Sequence, residues 1–409
     1  MKRLIALSIV LLCASTTPAS QDLAPKWPER AFEAQLQAKG VVFELDHDPR
    51  SLISRQIAMA GGPPSVRTHA GMMITRLGDA SQDVAVDDVR GEGPNSLVFD
   101  SVWVDDEPPS EFRTLLFVSL RNTDPLEIER TWMAYEPATT NEVDGLAVIV
   151  PGTFGYPPEL YEKWSDDLRG RGWSVLRLLS QPSRFTEYFP VRVNGDGSEQ
   201  GRAFAARADD RTAECAYAVE YGARFIEGLD ARLAGKPRTI LGFSGGAILA
   251  PGVIAREPDR YQTAVLVAGG ANAASISIDS TFMARFIRSV SFDFVGEDKP
   301  ADRADFEAGY LEQASLDGYH AAAAFDSNTR VLIVDGTVDR AVPFVNSQLM
   351  ADRLESTVGI QAERRSYPVN HVMLFMALIE SVRQINDWSD DPDSAELDMP
   401  PGEEAKAQP

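Results

Sequence analysis

A serine hydroxyl becomes a nucleophile only where a base takes its proton and the backbone holds it clear of neighbouring chain. Gly242-Phe243-Ser244-Gly245-Gly246 meets the second condition. It fits the G-x-S-x-G turn, entered by the short apolar strand Thr239 to Leu241 and left by an Ala/Ile/Leu-rich helix. Such a turn forces the serine into strained backbone geometry with chain close on both sides, so the residues two before and two after must be small. The hydroxyl then stands at the carboxyl edge of a sheet, on a helix N-terminus that favours developing negative charge. Ser244 is therefore the candidate nucleophile. The same five residues also fit a glycine-rich turn whose serine merely caps the helix, so the partners decide.

The chain has four histidines: His47, His69, His320 and His371. In the elbow arrangement the acid and base follow the serine, each on a loop at the carboxyl end of a later strand. That order sets aside His47 and His69. His320, in Asp-Gly-Tyr-His-Ala-Ala-Ala-Ala, reads as helical and is expected to pack or cap. His371 lies between a strand ending at Tyr367-Pro368 and a helix. A histidine at a helix start has no dipole reason to be there, which makes it the candidate base. For the acid, the apolar strand Val331 to Asp335 stops at Gly336, and Pro343 opens a helix. Asp339 lies on the intervening loop and is the favoured acid; Asp335, in or at the strand, is the alternative and is expected to bond to the loop backbone. An oxyanion needs two backbone N–H donors aimed at one point. Gly245, directly after the serine, supplies one. Thr153, in Pro151-Gly152-Thr153-Phe154-Gly155 after the apolar strand Leu146–Val150, is the candidate for the other.

These residues need a scaffold. From Gly145 onward strands and helices alternate, the signature of a mostly parallel sheet with crossover helices. Expected strands are Leu146–Val150, Trp173–Leu178, Arg238–Leu241, Thr263–Ala268, Val331–Asp335 and Ala362–Tyr367. Expected helices are Pro158–Arg169, Asp209–Leu233, Gly245–Arg256, Pro343–Leu354 and Val372–Asn386. Ahead of them Ser96–Val104, Thr114–Leu120 and Ile128–Tyr135 read as an antiparallel meander. Pro28–Lys39 reads as a short amphipathic helix and Val41–Leu45 as a strand. Two stretches break the rhythm. Residues 269–330 are far longer than a crossover needs and carry many aromatics, fitting either a helical lid or an excursion packed on the body. Residues 179–208, with Phe185, Tyr188 and Phe189, read as a loop walling the cleft.

The four chemistry-bearing segments, in this order, resemble the α/β-hydrolase family over about residues 110 to 388. They are Pro151–Gly155, Gly242–Gly246, Gly336-Thr337-Val338-Asp339-Arg340-Ala341-Val342-Pro343, and Asn370-His371. The resemblance implies an eight-stranded, mostly parallel sheet flanked by helices and a Ser–Asp–His triad on Ser244, Asp339 and His371. Many members carry His-Gly where this chain has Pro151-Gly152, which removes a side chain beside the pocket but leaves the backbone donor in place. The Gly-x-x-Asp-x-x-Val-Pro pattern looks most like the esterase, dienelactone-hydrolase and prolyl-peptidase branches and does not choose among them.

Of the 409 residues, 44% are hydrophobic and 24% charged, enough for one large or two medium domains. A net charge of −22 argues against nucleic acid and anionic membrane surfaces as partners. Lys2 and Arg3 precede the apolar run Leu4–Ala14, too short to span a bilayer, followed by small and polar residues. That reads as a secretory signal over residues 1–19, cleaved after Ala19. A lipoprotein signal using Cys13 is the less favoured alternative, because Leu12 is larger than such processing accepts. Cys215 is then the one mature cysteine, read as a buried helix residue. Residues 20–109 form an N-terminal extension and 389–409 an acidic tail expected to be disordered. The expectation is an exported serine hydrolase acting on a small-molecule carboxylic ester through an acyl-enzyme. It needs no cofactor and no metal, because nucleophile, base and oxyanion donors are all protein groups. Two alternatives stay open: an exported peptidase, disfavoured because residues 20–109 are too few for the propeller of large prolyl peptidases, and an inactive hydrolase fold used for binding.

Overall fold

Strands buried on both faces read as unbroken apolar runs, and Leu146 to Val150 and Val331 to Val334 are such runs, buried throughout. They lie at the centre of the sheet in a computed structural model, which describes residues 22–28, 41–45, 113–121, 127–152, 158–178, 189–193, 196–280, 290–295 and 299–390. The strands are β1 (Val41–Leu45), β2 (Arg113–Arg121), β3 (Glu127–Glu136), β4 (Gly145–Val150), β5 (Trp173–Leu178), β6 (Phe189–Val193), β7 (Arg238–Phe243), β8 (Tyr261–Val267), β9 (Val290–Phe294), β10 (Arg330–Gly336) and β11 (Glu363–Tyr367). The helices are α1 (Pro158–Gly170), α2 (Gly197–Leu229), α3 (Gly245–Arg256), α4 (Ala273–Asp279), α5 (Lys299–Leu311), α6 (Gly318–Ala321), α7 (Phe344–Val358) and α8 (His371–Asp390).

The main sheet runs β1-β2-β3-β5-β4-β7-β8-β10-β11. Its first three pairings, β1–β2, β2–β3 and β3–β5, are antiparallel, and every pairing from β5 to β11 is parallel. The eight expected strands are thus β2 to β11 of this sheet, and β1 adds a ninth at its edge. Side chains alternate between two layers, as the pleat requires. Leu146, Val148, Val150, Val331 and Ile333 join one core with α2, α3 and α7. Ala147, Ile149, Leu332 and Val334 join the other with α1 and α8.

The stretches that interrupt the alternation meet each other. β6 and β9 pair in parallel as a separate two-stranded sheet. Phe292 and Phe294 pack with Phe204 of α2 and Phe306 of α5. The expected start of the long helix is corrected: α2 begins at Gly197, not Asp209, with the Asp196 side chain accepting the Glu199 N–H at 2.9 Å. Part of the presumed cleft loop is therefore helix. At the other end α8 continues to Asp390 with Trp388 buried, past the expected helix end at Asn386. The expected strand Ser96–Val104 and the expected helix beyond Pro28 lie outside the described residues.

Residues 22–28 cross the α2/α3 side as a strap. The Leu23 N–H donates to His320 Nδ1 at 3.2 Å and the Lys26 N–H to Ser315 Oγ at 3.0 Å. Tyr217 Oη donates to the Pro28 carbonyl, and the Arg256 guanidinium stacks on Trp27 and Tyr217. No described helix is long and apolar enough to cross a membrane.

Candidate active site

β7 delivers the elbow. Ser244 has φ 51° and ψ −117°, a conformation costly for a residue with a side chain. Its N–H is held by the Val267 carbonyl at 2.8 Å, and its own carbonyl accepts the N–H of Ala247 at 2.9 Å. The small flanking residues are a steric requirement: a Cβ on Gly242 would lie 2.7 Å from Ala247 Cα, and one on Gly246 would collide with the Val150 carbonyl. Gly245 takes the first position of α3, where the helix offers its N–H no acceptor. That leaves this donor beside the serine for a developing oxyanion. Thr153, the expected second donor, lies outside the described residues; its neighbour Gly152 is described and lies against Ser244.

The loop after β10 and the start of α8 bring the other two groups together. His371 Nε2 is 3.0 Å from Ser244 Oγ, and His371 Nδ1 is 2.6 Å from Asp339 Oδ2. A carboxylate has no proton to give, so Nδ1–H donates to it and Nε2 is left to accept the serine proton. Asp339 is buried and does not swing freely: its Oδ1 accepts the N–H groups of Ala341 at 2.7 Å and Val342 at 3.1 Å. The imidazole rests edge-on against Phe375 at 5.0 Å, one turn further along α8. Phe375 touches Phe243, the residue before the serine, at 6.3 Å between ring centres.

Asp335 is committed elsewhere. Its Oδ2 accepts Ser347 Oγ–H of α7 and an Arg364 N–H of β11, each at 2.8 Å. These are side chains, not the loop backbone that the sequence suggested. Strand parity was the available signal: Asp335 falls in register with Val331 and Ile333, which face α7, while α8 and His371 pack on the layer of Leu332 and Val334. His320 packs in the body, its Nε2–H donating to the Leu311 carbonyl at 2.7 Å; burial holds its pKa below the ordinary histidine value. Cys215 is fully buried in α2, and burial pushes its thiol pKa up. His47 and His69 lie outside the described residues. Reading the sequence missed Tyr161 of α1, which is buried, accepts the Gly152 N–H at 3.0 Å and packs on Phe243.

No curated protein matches the chain in sequence. Among solved structures it is similar to the acylaminoacyl peptidase of Pyrococcus horikoshii, with a TM-score of 0.44 and 12% identity over 73% of this chain. It spans 43% of that enzyme's length. It is also similar to Est1E from Butyrivibrio proteoclasticus (TM-score 0.41, 12% identity, covering 66% of this chain and 97% of that one). A third is the esterase Pf2001 of Pyrococcus furiosus (TM-score 0.40, 10% identity, 67% and 87%). The profile of the prolyl oligopeptidase family matches residues 186–390, half of the chain, and takes in the elbow, the acid loop and His371. The chain belongs to the prolyl oligopeptidase family, a family of serine hydrolases built on the α/β-hydrolase fold.

Proposed function

We propose that this protein is an exported serine hydrolase that cleaves small carboxylic esters through an acyl-enzyme on Ser244. The observation that carries the reading is the continuous contact from Ser244 Oγ through His371 to the buried, doubly anchored Asp339. Attack by Oγ on the carbonyl carbon transfers the serine proton to Nε2. Collapse of the tetrahedral adduct expels the alcohol, which takes that proton, and water repeats the sequence to release the acid. Gly245 N–H, with a donor from the loop after β4, holds the oxyanion in both halves; Thr153 is the proposed second donor.

Apolar side chains border the machinery and favour an ester with apolar groups. Val338 precedes Asp339, Val372 and Met373 follow His371, and Met376 stands one turn on; all four are more than half exposed. Such surface beside the base offers contact area to a departing group. The second reading, peptide hydrolysis, is favoured by the family to which the chain belongs. A binding protein without activity is disfavoured because Ser244, Asp339 and His371 are all present and in register. Export rests on Lys2, Arg3 and the run Leu4–Ala14, cleavage after Ala19 being the expected maturation.

A panel of aryl esters of increasing acyl length, run beside N-blocked peptide amides, separates the readings. Turnover of the esters with a kcat/KM at least about 100-fold above any peptide supports the esterase; the reverse order overturns it.

A further inference from the structure

One buried phenol touches both the loop beside the serine and the elbow that carries it. Tyr161 lies on α1 and is 3% exposed. Its Oη accepts the Gly152 N–H at 3.0 Å, and its ring meets Phe243 edge-on at 5.2 Å. Gly152 is in close contact with the nucleophile: a Cβ built on it would lie 3.3 Å from Ser244 Cβ and 3.7 Å from the Tyr161 oxygen. Phe243 continues through Phe375 to His371. The Gly152 N–H is therefore already spent inside the protein. Where the Pro151-Gly152 backbone stands beside Ser244 depends on this bond.

We propose that Tyr161 is a positioning residue whose hydroxyl fixes the Pro151-Gly152 backbone against Ser244 and so shapes the space in which the tetrahedral adduct forms. The proposal rests on the acyl-transfer reading of the site. A shift of this backbone beside Ser244 disfavours the tetrahedral adduct more than the bound ester, so the effect belongs in kcat and not in KM. Burial raises the pKa of the phenol well above its ordinary value, and Arg177, whose charge acts the other way, is itself paired with Glu136 at 2.9 Å. The hydroxyl thus stays un-ionised across the working range and its contribution does not titrate.

The test is Tyr161→Phe, which removes one oxygen and keeps the ring. Wild type, Y161F and Ser244→Ala are assayed on p-nitrophenyl butyrate from about pH 6 to 9, with active sites counted by a fluorophosphonate. Expected is a loss of about 10–100-fold in kcat per titrated site, KM within about twofold, and the same fractional loss at every pH. Affinity for a boronic acid that mimics the tetrahedral adduct should fall by the same factor. A kcat per titrated site within about twofold of wild type, a loss confined to KM, or a variant that does not fold would each overturn the proposal. An active wild type with an unchanged Y161F overturns it alone; a wild type that neither turns over the ester nor takes the fluorophosphonate overturns the hydrolase reading and this proposal with it.

Discussion

Asp335 and Asp339, four residues apart, reach partners in opposite layers of the sheet. Asp339 Oδ2 meets His371 Nδ1 at 2.6 Å, whereas Asp335 Oδ2 is taken by Ser347 and Arg364 at 2.8 Å each. Their substitutions should therefore separate chemistry from stability.

Asp339→Asn replaces an acceptor with a group that no longer selects the Nδ1–H tautomer. Steady-state ester hydrolysis should show kcat lower by about 10⁴, the size of loss seen in a comparable triad, with an unfolding midpoint close to wild type. A loss under about tenfold would mean that another group orients His371.

Asp335→Asn should do the opposite. It weakens the part-buried ion pair of Asp335 with Arg364 of β11 and its bond from Ser347 of α7, so unfolding stability falls by about 1–3 kcal/mol while kcat stays within a few fold. Denaturant titration and a rate assay on the same preparation check both halves. A drop in kcat as large as that of Asp339→Asn would contradict the assignment.

Phe375 backs the imidazole at 5.0 Å and is 8% exposed. Phe375→Ala should cost about 3–5 kcal/mol in stability and lower kcat further than the folded fraction explains, since His371 loses its wall. Rates normalised to titrated active sites distinguish the two effects.

Asp209 supplies a pH signature away from the site. Burial, with Asp317 nearby, pushes its carboxyl pKa up to about 7 although the Ser315 N–H, Ser315 Oγ–H and Leu316 N–H all donate to it. The ordinary value is 3.8, so the native state holds a proton that the unfolded chain has released between there and about 7. Stability present at acid pH is lost as pH rises through that window. Thermal unfolding of wild type should therefore decline relative to Asp209→Asn from about pH 5 to 7 and run parallel above about 8. Parallel curves throughout would show that Asp209 ionises normally.

Local pattern made the site legible. The elbow needs two small residues around Ser244, and the acid and base stand on loops after apolar strands, so spacing along the chain carried both. The central strands were legible because burial on both faces leaves uninterrupted apolar runs. Contacts between distant segments were not. The first turns of α2, Gly-Ser-Glu-Gln-Gly-Arg, read as loop because their burial comes from α5, about a hundred residues on. A cap signal was nonetheless present in Asp196 followed by Glu199. The β6–β9 pairing and the β1 edge join segments far apart in the chain, and no local period encodes them. Tyr161 escaped for a similar reason: nothing in a helix sequence says that one tyrosine will meet a glycine N–H.

The central claim is that Ser244 carries the acyl group. Rapid mixing with an aryl ester, quenching in acid and peptide mass analysis reads this directly. The account predicts a burst of about one phenol per active site, an added acyl mass on the peptide containing Ser244, and neither burst nor adduct in Ser244→Ala. An acyl mass on a different residue, or turnover by Ser244→Ala within about tenfold of wild type, would contradict it.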